Sequence, residues 1–163
     1  MTIAVASIGL VSLGASAFTH PVPRLIWNAS ASAPLGLYRV ELGAAVGVGD
    51  LVLAALPDAA RQLAAVRGYL PANVPAVKRI AAAAGDVVCA DSGIVVIDNR
   101  VAADILLIDG EGRPLPAWHG CRALREGEIF LLNEGARASF DGRYFGPIES
   151  SAVFGKLVPL WTR

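Results

Sequence analysis

Lys78 and Lys156 are the only lysines in this 163-residue chain, and His20 and His119 are the only histidines. That scarcity leaves few candidates for a catalytic base. Lys78 is the most informative of them. It lies in Val74–Ala81, a β-branched and alanine-rich run that predicts a strand. Strand side chains alternate between faces, so Ala76, Lys78, Ile80 and Ala82 share one side, and Lys78 is a lone amine among apolar neighbours. Such a lysine can snorkel from a partly exposed strand. Alternatively it is a desolvated base. The second role requires the amine pKa to fall from ~10.4 to roughly 7–8, a penalty of about 4 kcal/mol on the ammonium that apolar burial can supply.

A lysine base needs a nucleophile, and serine–lysine pairs are a variant of the serine–histidine arrangement. Ser30 and Ser32 stand in Asn28-Ala29-Ser30-Ala31-Ser32-Ala33-Pro34-Leu35-Gly36, a turn of small residues in which a hydroxyl can be approached. Serines in turns also commonly bond their own backbone. A competing nucleophile is Cys121, two residues from His119, which suggests a cysteine peptidase. The Trp118-His119-Gly120 context predicts a surface loop instead. Cys89 and Cys121 are the only cysteines, with 31 residues between them. They are either two buried thiols or a disulfide, and the latter requires an oxidising compartment such as the periplasm. Two cysteines and two dispersed histidines give no metal-ligand spacing.

The elements that must carry these residues form one domain. Hydrophobic residues make up 55% of the chain and charged residues 17%, which excludes disorder. The 14 basic and 14 acidic side chains cancel, which argues against nucleic-acid binding. With 17 Gly and 10 Pro, turns are frequent, and a β-rich fold is expected over a helical bundle. Strands are predicted at Arg24–Trp27, Leu37–Val40, Asp50–Ala54, Val74–Ala81, Asp86–Ala90, Glu128–Asn133 and Val153–Pro159. A hairpin is predicted from Ile94–Ile97 and Arg100–Ala102 around Asp98-Asn99. One soluble helix is predicted, opening at Pro57-Asp58 and ending at Gly68. Residues 103–127 read as loop.

Residues 1–23 carry no Asp, Glu, Lys or Arg, and Ile3 to Phe18 is apolar. These 16 residues approach the ~17–25 needed to span a bilayer. Residues 1–20 are therefore expected to be a membrane anchor or signal segment, and the anchor is the preferred reading. Ala15-Ser16-Ala17 would suit a cleavage site, and a buried core helix is the third possibility. Arg24 and Arg39 follow the segment, which by charge alone would put the domain in the cytoplasm. Basic residues upstream would reverse that inference, so it is set aside. Phe18 and Ser32 are 14 residues apart, so an anchored site lies within about 50 Å of the bilayer.

Three segments then stand in order: Asn28-x-Ser30-x-Ser32-x-Pro34-x-Gly36-Leu37-Tyr38; Lys78-Arg79-Ile80 with Gly85-Asp86; and Ser139-Phe140-Asp141-Gly142-Arg143-Tyr144-Phe145-Gly146-Pro147. They resemble the three boxes of the signal peptidase I superfamily of S26 serine peptidases, in its conjugal-transfer, TraF-type branch. Arg67-Gly68-Tyr69-Leu70, Gly127–Leu132 and Pro159-Leu160-Trp161 support the resemblance, which runs from about residue 21 to the end. It implies a mainly β, antiparallel, signal-peptidase-like (LexA-like) catalytic domain over 21–163, with one short helix, behind an N-terminal transmembrane helix. It implies Ser32 as nucleophile and Lys78 as general base. Ser30 would assist the oxyanion hole with the Ser32 N–H, and Ser139 would orient the lysine. Asp141 and Arg143 would form a structural charged pair near the site; read alone, Asp141-Gly142-Arg143 is a surface turn. No cofactor is implied.

The expected activity is cleavage, or cyclisation, of a conjugative pilin precursor at the bacterial inner membrane, with the catalytic domain facing the periplasm. The partners would be the membrane-associated pilin or preprotein and the bilayer itself. A general signal peptidase and a non-catalytic scaffold of a secretion channel are the alternatives. Ala33 stands where secretory signal peptidases usually have methionine, which favours the conjugal branch. Ala84-Gly85 replaces the frequent Pro-Gly, and Gly142 replaces a frequent serine.

Overall fold

The structure, a computed structural model, describes residues 22–163. The anchor or signal segment expected over residues 1–20 lies outside the described residues. Among the described residues, no helix is long and apolar enough to cross a membrane.

Short apolar runs between glycine- and proline-rich turns fold into strands, as expected. In chain order these are β1 (Leu25–Asn28), β2 (Gly36–Leu42), β3 (Leu51–Ala54), β4 (Ala76–Ala82), β5 (Val87–Asp91), β6 (Ile94–Ile97), β7 (Arg100–Asp104), β8 (Gly120–Ala123), β9 (Glu128–Leu131), β10 (Ile148–Glu149) and β11 (Val153–Thr162). Helix α1 (Asp58–Val66) follows β3, and the single-turn α2 (Gly142–Phe145) follows β9. A large sheet has the order β1-β2-β11-β3-β4-β9-β10, and a small one the order β7-β6-β5-β8. The pairings within both sheets are antiparallel.

Some details differ from expectation, among them the short strand β10 and the end of β9 at Leu131. The run 103–127 contains a strand, β8, whose short polar sequence carries little signal; it exists because β5 lies beside it, with Cys89 opposite Cys121. The second helix, α2, was not expected. At four residues it is too short for a periodic pattern, and the Asp141 carboxylate caps it by accepting from the Arg143 N–H.

The turns follow their residue chemistry. Asp98 and Asn99 both have positive φ (46° and 65°), the backbone that a two-residue hairpin between right-twisted strands requires. Helix α1 starts after Pro57 and stops where Gly68 turns to φ +72°, with the Gly68 and Tyr69 N–H groups donating to Ala65 and Ala64.

One apolar cluster lies beneath the small sheet, where Val88, Val95 and Ile97 meet Phe130, Leu132 and Tyr144. Others fill the large sheet, through Val52, Ile80 and Leu131 and through Tyr38, Val40 and Leu53. Helix α1 sets Ala60 and Ala64 against Ala76 of β4. This contact packs α1 against the face of β4 that carries Ala76. Strand β4 is thereby held between β3, β9 and α1, and it carries Lys78.

Candidate active site

The face predicted for Lys78 is the buried one. Ala76, Lys78, Ile80 and Ala82 are all buried, and Lys78 itself is only 6% exposed. The snorkelling alternative is excluded by that burial. Nζ donates to Ser139 Oγ at 2.8 Å. Removal from water pushes the Lys78 pKa down from 10.5 to about 8, with the Asp141 carboxylate pulling it up and the Arg143 guanidinium pulling it down. A substantial fraction of such an amine is neutral within a pH unit of its midpoint, so it can accept a proton.

Ser30 and Ser32 sit in the loop joining β1 to β2. The buried Asn28 side chain organises this loop. Its Nδ2 donates to the carbonyls of Ser30, Ala33 and Pro34 at 3.0, 3.1 and 3.0 Å, and its Oδ1 accepts the Ser30 N–H at 3.1 Å. The Tyr38 hydroxyl donates to the Pro34 carbonyl at 2.7 Å. Gly36 closes the loop, because a Cβ there would collide with the Trp161 carbonyl on β11. A rigid loop thus presents the two hydroxyls, whose oxygens are 2.8 Å apart. The Ser32 N–H donates to Ser30 Oγ at 3.3 Å.

Ser30, Ser32, Lys78 and Ser139 line one cleft of about 980 Å³. Ser32 bonds to Ser30 and Lys78 bonds to Ser139; among the described residues no hydrogen bond joins Ser32 to Lys78. Across the cleft, the Tyr69 hydroxyl and Arg113 Nε (2.7 Å) both donate to the Asp109 carboxylate. These bonds tie the loop after β7 to the exit of α1. Burial pushes the Asp109 carboxyl up, but the hydrogen bonds from Tyr69 and Arg113 prevail and hold it well below the usual carboxylate range.

Asp141 and Arg143 are fully buried and paired, with Arg143 Nε 2.9 Å from Asp141 Oδ1. The surface-turn alternative for Asp141-Gly142-Arg143 is thereby overturned. Arg143 also donates to the carbonyls of Asn133 (2.9 Å), Ala136 (3.0 Å) and Arg137 (3.0 Å), so one guanidinium gathers the whole loop after β9. That loop carries Ser139. Gly142 has its own reason: a Cβ there would lie 2.7 Å from the Leu131 carbonyl oxygen and 2.8 Å from the Phe130 ring.

Asn133 was expected only as the end of a strand. Its side chain in fact reaches β4 on both sides of Lys78, accepting the Arg79 N–H at 2.9 Å and donating to the Val77 carbonyl at 3.4 Å. Only the register of β9 against β4 discloses this, and no local feature of the sequence gives that register.

Cys89 and Cys121 form a disulfide between adjacent strands β5 and β8. Cys121 is thereby removed from any role as a nucleophile, and His119 is exposed in a loop. Among the described residues no group of three His, Cys, Asp or Glu side chains could hold a metal ion.

The comparisons with known proteins decide the family. Residues 1–161 match the family model described as signal peptidase, peptidase S26. The chain belongs to the peptidase S26 family. Within it, the chain is 36% identical over 144 residues to a conjugal transfer protein TraF of Agrobacterium fabrum, covering 83% of this chain and 81% of that one. A probable conjugal transfer protein TraF of Sinorhizobium fredii is 34% identical over 137 residues, covering 78% of this chain and 72% of that one. A plasmid transfer protein TraF of Escherichia coli is 33% identical over 144 residues, with 83% and 81% covered. Among solved structures, a signal peptidase I from Enterococcus faecalis aligns with TM-score 0.41 and 16% identity, over 71% of this chain and 98% of that one. By the family match and these relatives, the chain is an S26 peptidase with TraF relatives.

Proposed function

We propose that this S26 peptidase is a membrane-anchored endopeptidase with a Ser32/Lys78 dyad, and that it matures a conjugative pilin precursor. The observation that carries the reading is Lys78: a buried amine bonded to Ser139, in the same cleft as Ser32. Burying an ammonium is costly, and a lysine held this way without a reaction to serve has no evident structural gain. A purely scaffolding role leaves this cost unexplained.

In the proposed reaction, the scissile carbonyl enters the cleft and Ser32 Oγ turns from Ser30 towards Lys78 Nζ. Neutral Lys78 takes the hydroxyl proton as Oγ attacks the carbonyl carbon. The Ser32 N–H and the Ser30 hydroxyl, which bond each other's residues in the free protein, are both freed to hold the oxyanion. Ser139 keeps Nζ aimed throughout. The ammonium then gives its proton to the departing amine, leaving an acyl ester on Ser32. Water resolves the ester through the same base, giving a linear product. Attack by the precursor's own amino group would instead give a cyclic one.

The TraF relatives support a conjugative substrate, and the apolar residues 3–18 support membrane anchorage at the bacterial inner membrane. The Cys89–Cys121 disulfide fits a catalytic domain in an oxidising compartment, the periplasm. The test is mass spectrometry of a pilin precursor coexpressed with the full chain. Processing by the wild type that disappears in Ser32→Ala and in Lys78→Ala is the expected result. A product one water lighter than the linear chain would establish cyclisation. Processing retained by either variant would refute the dyad. Cleavage of a secretory leader with the pilin left intact would identify a general signal peptidase.

A further inference from the structure

We propose that Asn133 is a positioning residue for the Lys78 amine, and that it links the buried Asp141–Arg143 pair to the strand that carries it. The inference rests on the proposed dyad for its catalytic consequence but not for its geometry.

Strands β4 and β9 pair with Ile80 opposite Leu131. Continuing that antiparallel register places residue 133 opposite residue 78. The backbone of β9 does not continue. At Asn133 the main chain turns away: its N–H donates to Asp141 Oδ2 at 3.1 Å, and its carbonyl accepts from Arg143 Nη2 at 2.9 Å. Strand β4 would then have lost its partner where Lys78 must be held. The Asn133 carboxamide replaces it. A carboxamide carries an acceptor oxygen and an NH2 donor group arranged like a peptide group, and here they meet the Arg79 N–H at 2.9 Å and the Val77 carbonyl at 3.4 Å. The Leu132 N–H adds a bond to the Arg79 carbonyl at 2.9 Å. Asn133 is buried, so water cannot substitute cheaply.

Each backbone group of Asn133 is thus held by the Asp141–Arg143 pair, while its side chain holds the residues flanking Lys78. The charged pair makes no direct bond to Lys78, yet it determines where β4 lies. Neither aspartate nor alanine can reproduce this arrangement. Aspartate keeps an acceptor for Arg79 but loses the donor to Val77 and adds a negative charge beside Lys78. Alanine loses both bonds and opens space for water near the ammonium.

The chain has only two lysines, which makes the test direct. Full-length protein labelled with 13Cε-lysine gives two resonances; Lys156, at the surface and paired with Asp50 at 2.7 Å, is the internal reference. Wild-type Lys78 is expected to titrate near pH 8, matching its pKa of about 8. In Asn133→Ala its midpoint should rise, and each unit of rise cuts the neutral fraction at pH 7 roughly tenfold. On a pilin substrate, kcat at pH 7 should fall at least ~10-fold with KM changed less than about threefold. An Ile97→Ala variant of the small sheet, which also loses stability, should leave the Lys78 midpoint in place. If Asn133→Ala does not fold, the uncharged and smaller Asn133→Ser decides. An unmoved Lys78 midpoint in a folded Asn133 variant overturns the proposal, whatever the activity does. A moved midpoint alongside an active Ser32→Ala would instead leave Asn133 as inferred and refute the dyad.

Discussion

Replacing Lys78 with methionine should stabilise the protein at pH 7 while removing its proposed base. Folding lowers the Lys78 pKa from 10.5 to about 8. Between those values the unfolded chain binds more protons than the folded one, so stability rises with pH across the window from 8 to 10.5. Below it, the folded protein carries a cost of about 3 kcal/mol for holding an amine that prefers to be charged in water. By pH 10 the same relation leaves a cost under ~1 kcal/mol. Methionine fills nearly the same volume and has no charge, so it escapes this cost. It also leaves the Ser139 hydroxyl without its partner, which takes back about 1 kcal/mol. The net expectation is a gain of roughly 2 kcal/mol at pH 7 and none at pH 10. Urea unfolding of wild type and Lys78→Met at both pH values measures it, because other groups that titrate near pH 10 cancel in the difference. A variant no more stable than wild type at pH 7, or a gap that does not close at pH 10, would refute the argument that burial is what neutralises Lys78.

Three further outcomes are expected. Ser30→Ala should lower kcat by about 10- to 1,000-fold with KM within about twofold, since the hydroxyl is proposed to act on the oxyanion alone; steady-state kinetics on a pilin peptide measure it. Reducing the Cys89–Cys121 disulfide, whose cysteines are 32 residues apart, should cost up to about 4 kcal/mol by loop entropy, read as a lower denaturant midpoint with dithiothreitol. Gly142→Ser should cost about 1–3 kcal/mol and lower the melting temperature, because its Cβ would press on the Leu131 carbonyl and the Phe130 ring.

How far the sequence discloses the site depends on the range over which each residue acts. The Lys78 face was readable because alternation is local: Ala76, Ile80 and Ala82 are buried with it as a period of two requires. The Ser30–Ser32 turn was readable because Asn, Ser, Pro and Gly act on their own neighbours. Read alone, Asp141-Gly142-Arg143 is a surface turn, and only the family resemblance marks it as a structural charged pair, because nothing within those three residues reveals that Asn133, Ala136 and Arg137 all lend carbonyls to Arg143. Strand β8 was hidden for a similar reason, since its order comes from β5. Asn133 was the least legible of all. Its function depends on a register between segments more than 50 residues apart, since Arg79 N–H and Asn133 Oδ1 are separated by 54 positions.

The free protein keeps the two groups of the proposed dyad apart, and this bears on how a substrate would activate it. Ser32 Oγ rests on Ser30 and Lys78 Nζ on Ser139. Bringing Ser32 to Lys78 exchanges one hydroxyl bond of about 1 kcal/mol for another, so the arrangement itself is easily changed. The protonation state is the larger obstacle. With a pKa of about 8, only about a tenth of Lys78 is neutral at pH 7. A polypeptide filling the cleft that Lys78 lines would displace water from it, and desolvation, the dominant cause of the shift, would then be stronger. On the proposed mechanism, substrate would therefore promote the neutral amine that its own cleavage needs. Two pH profiles separate free enzyme from complex: kcat/KM reports the former and kcat the latter. Both should rise with pH, because the neutral amine is the active form. The kcat/KM midpoint should lie near 8, and the kcat midpoint should lie below it by half a unit or more, on the order of a threefold gain in neutral lysine. A kcat midpoint at or above that of kcat/KM would show that substrate leaves the lysine's solvation untouched, and the base would have to be neutralised by the protein alone.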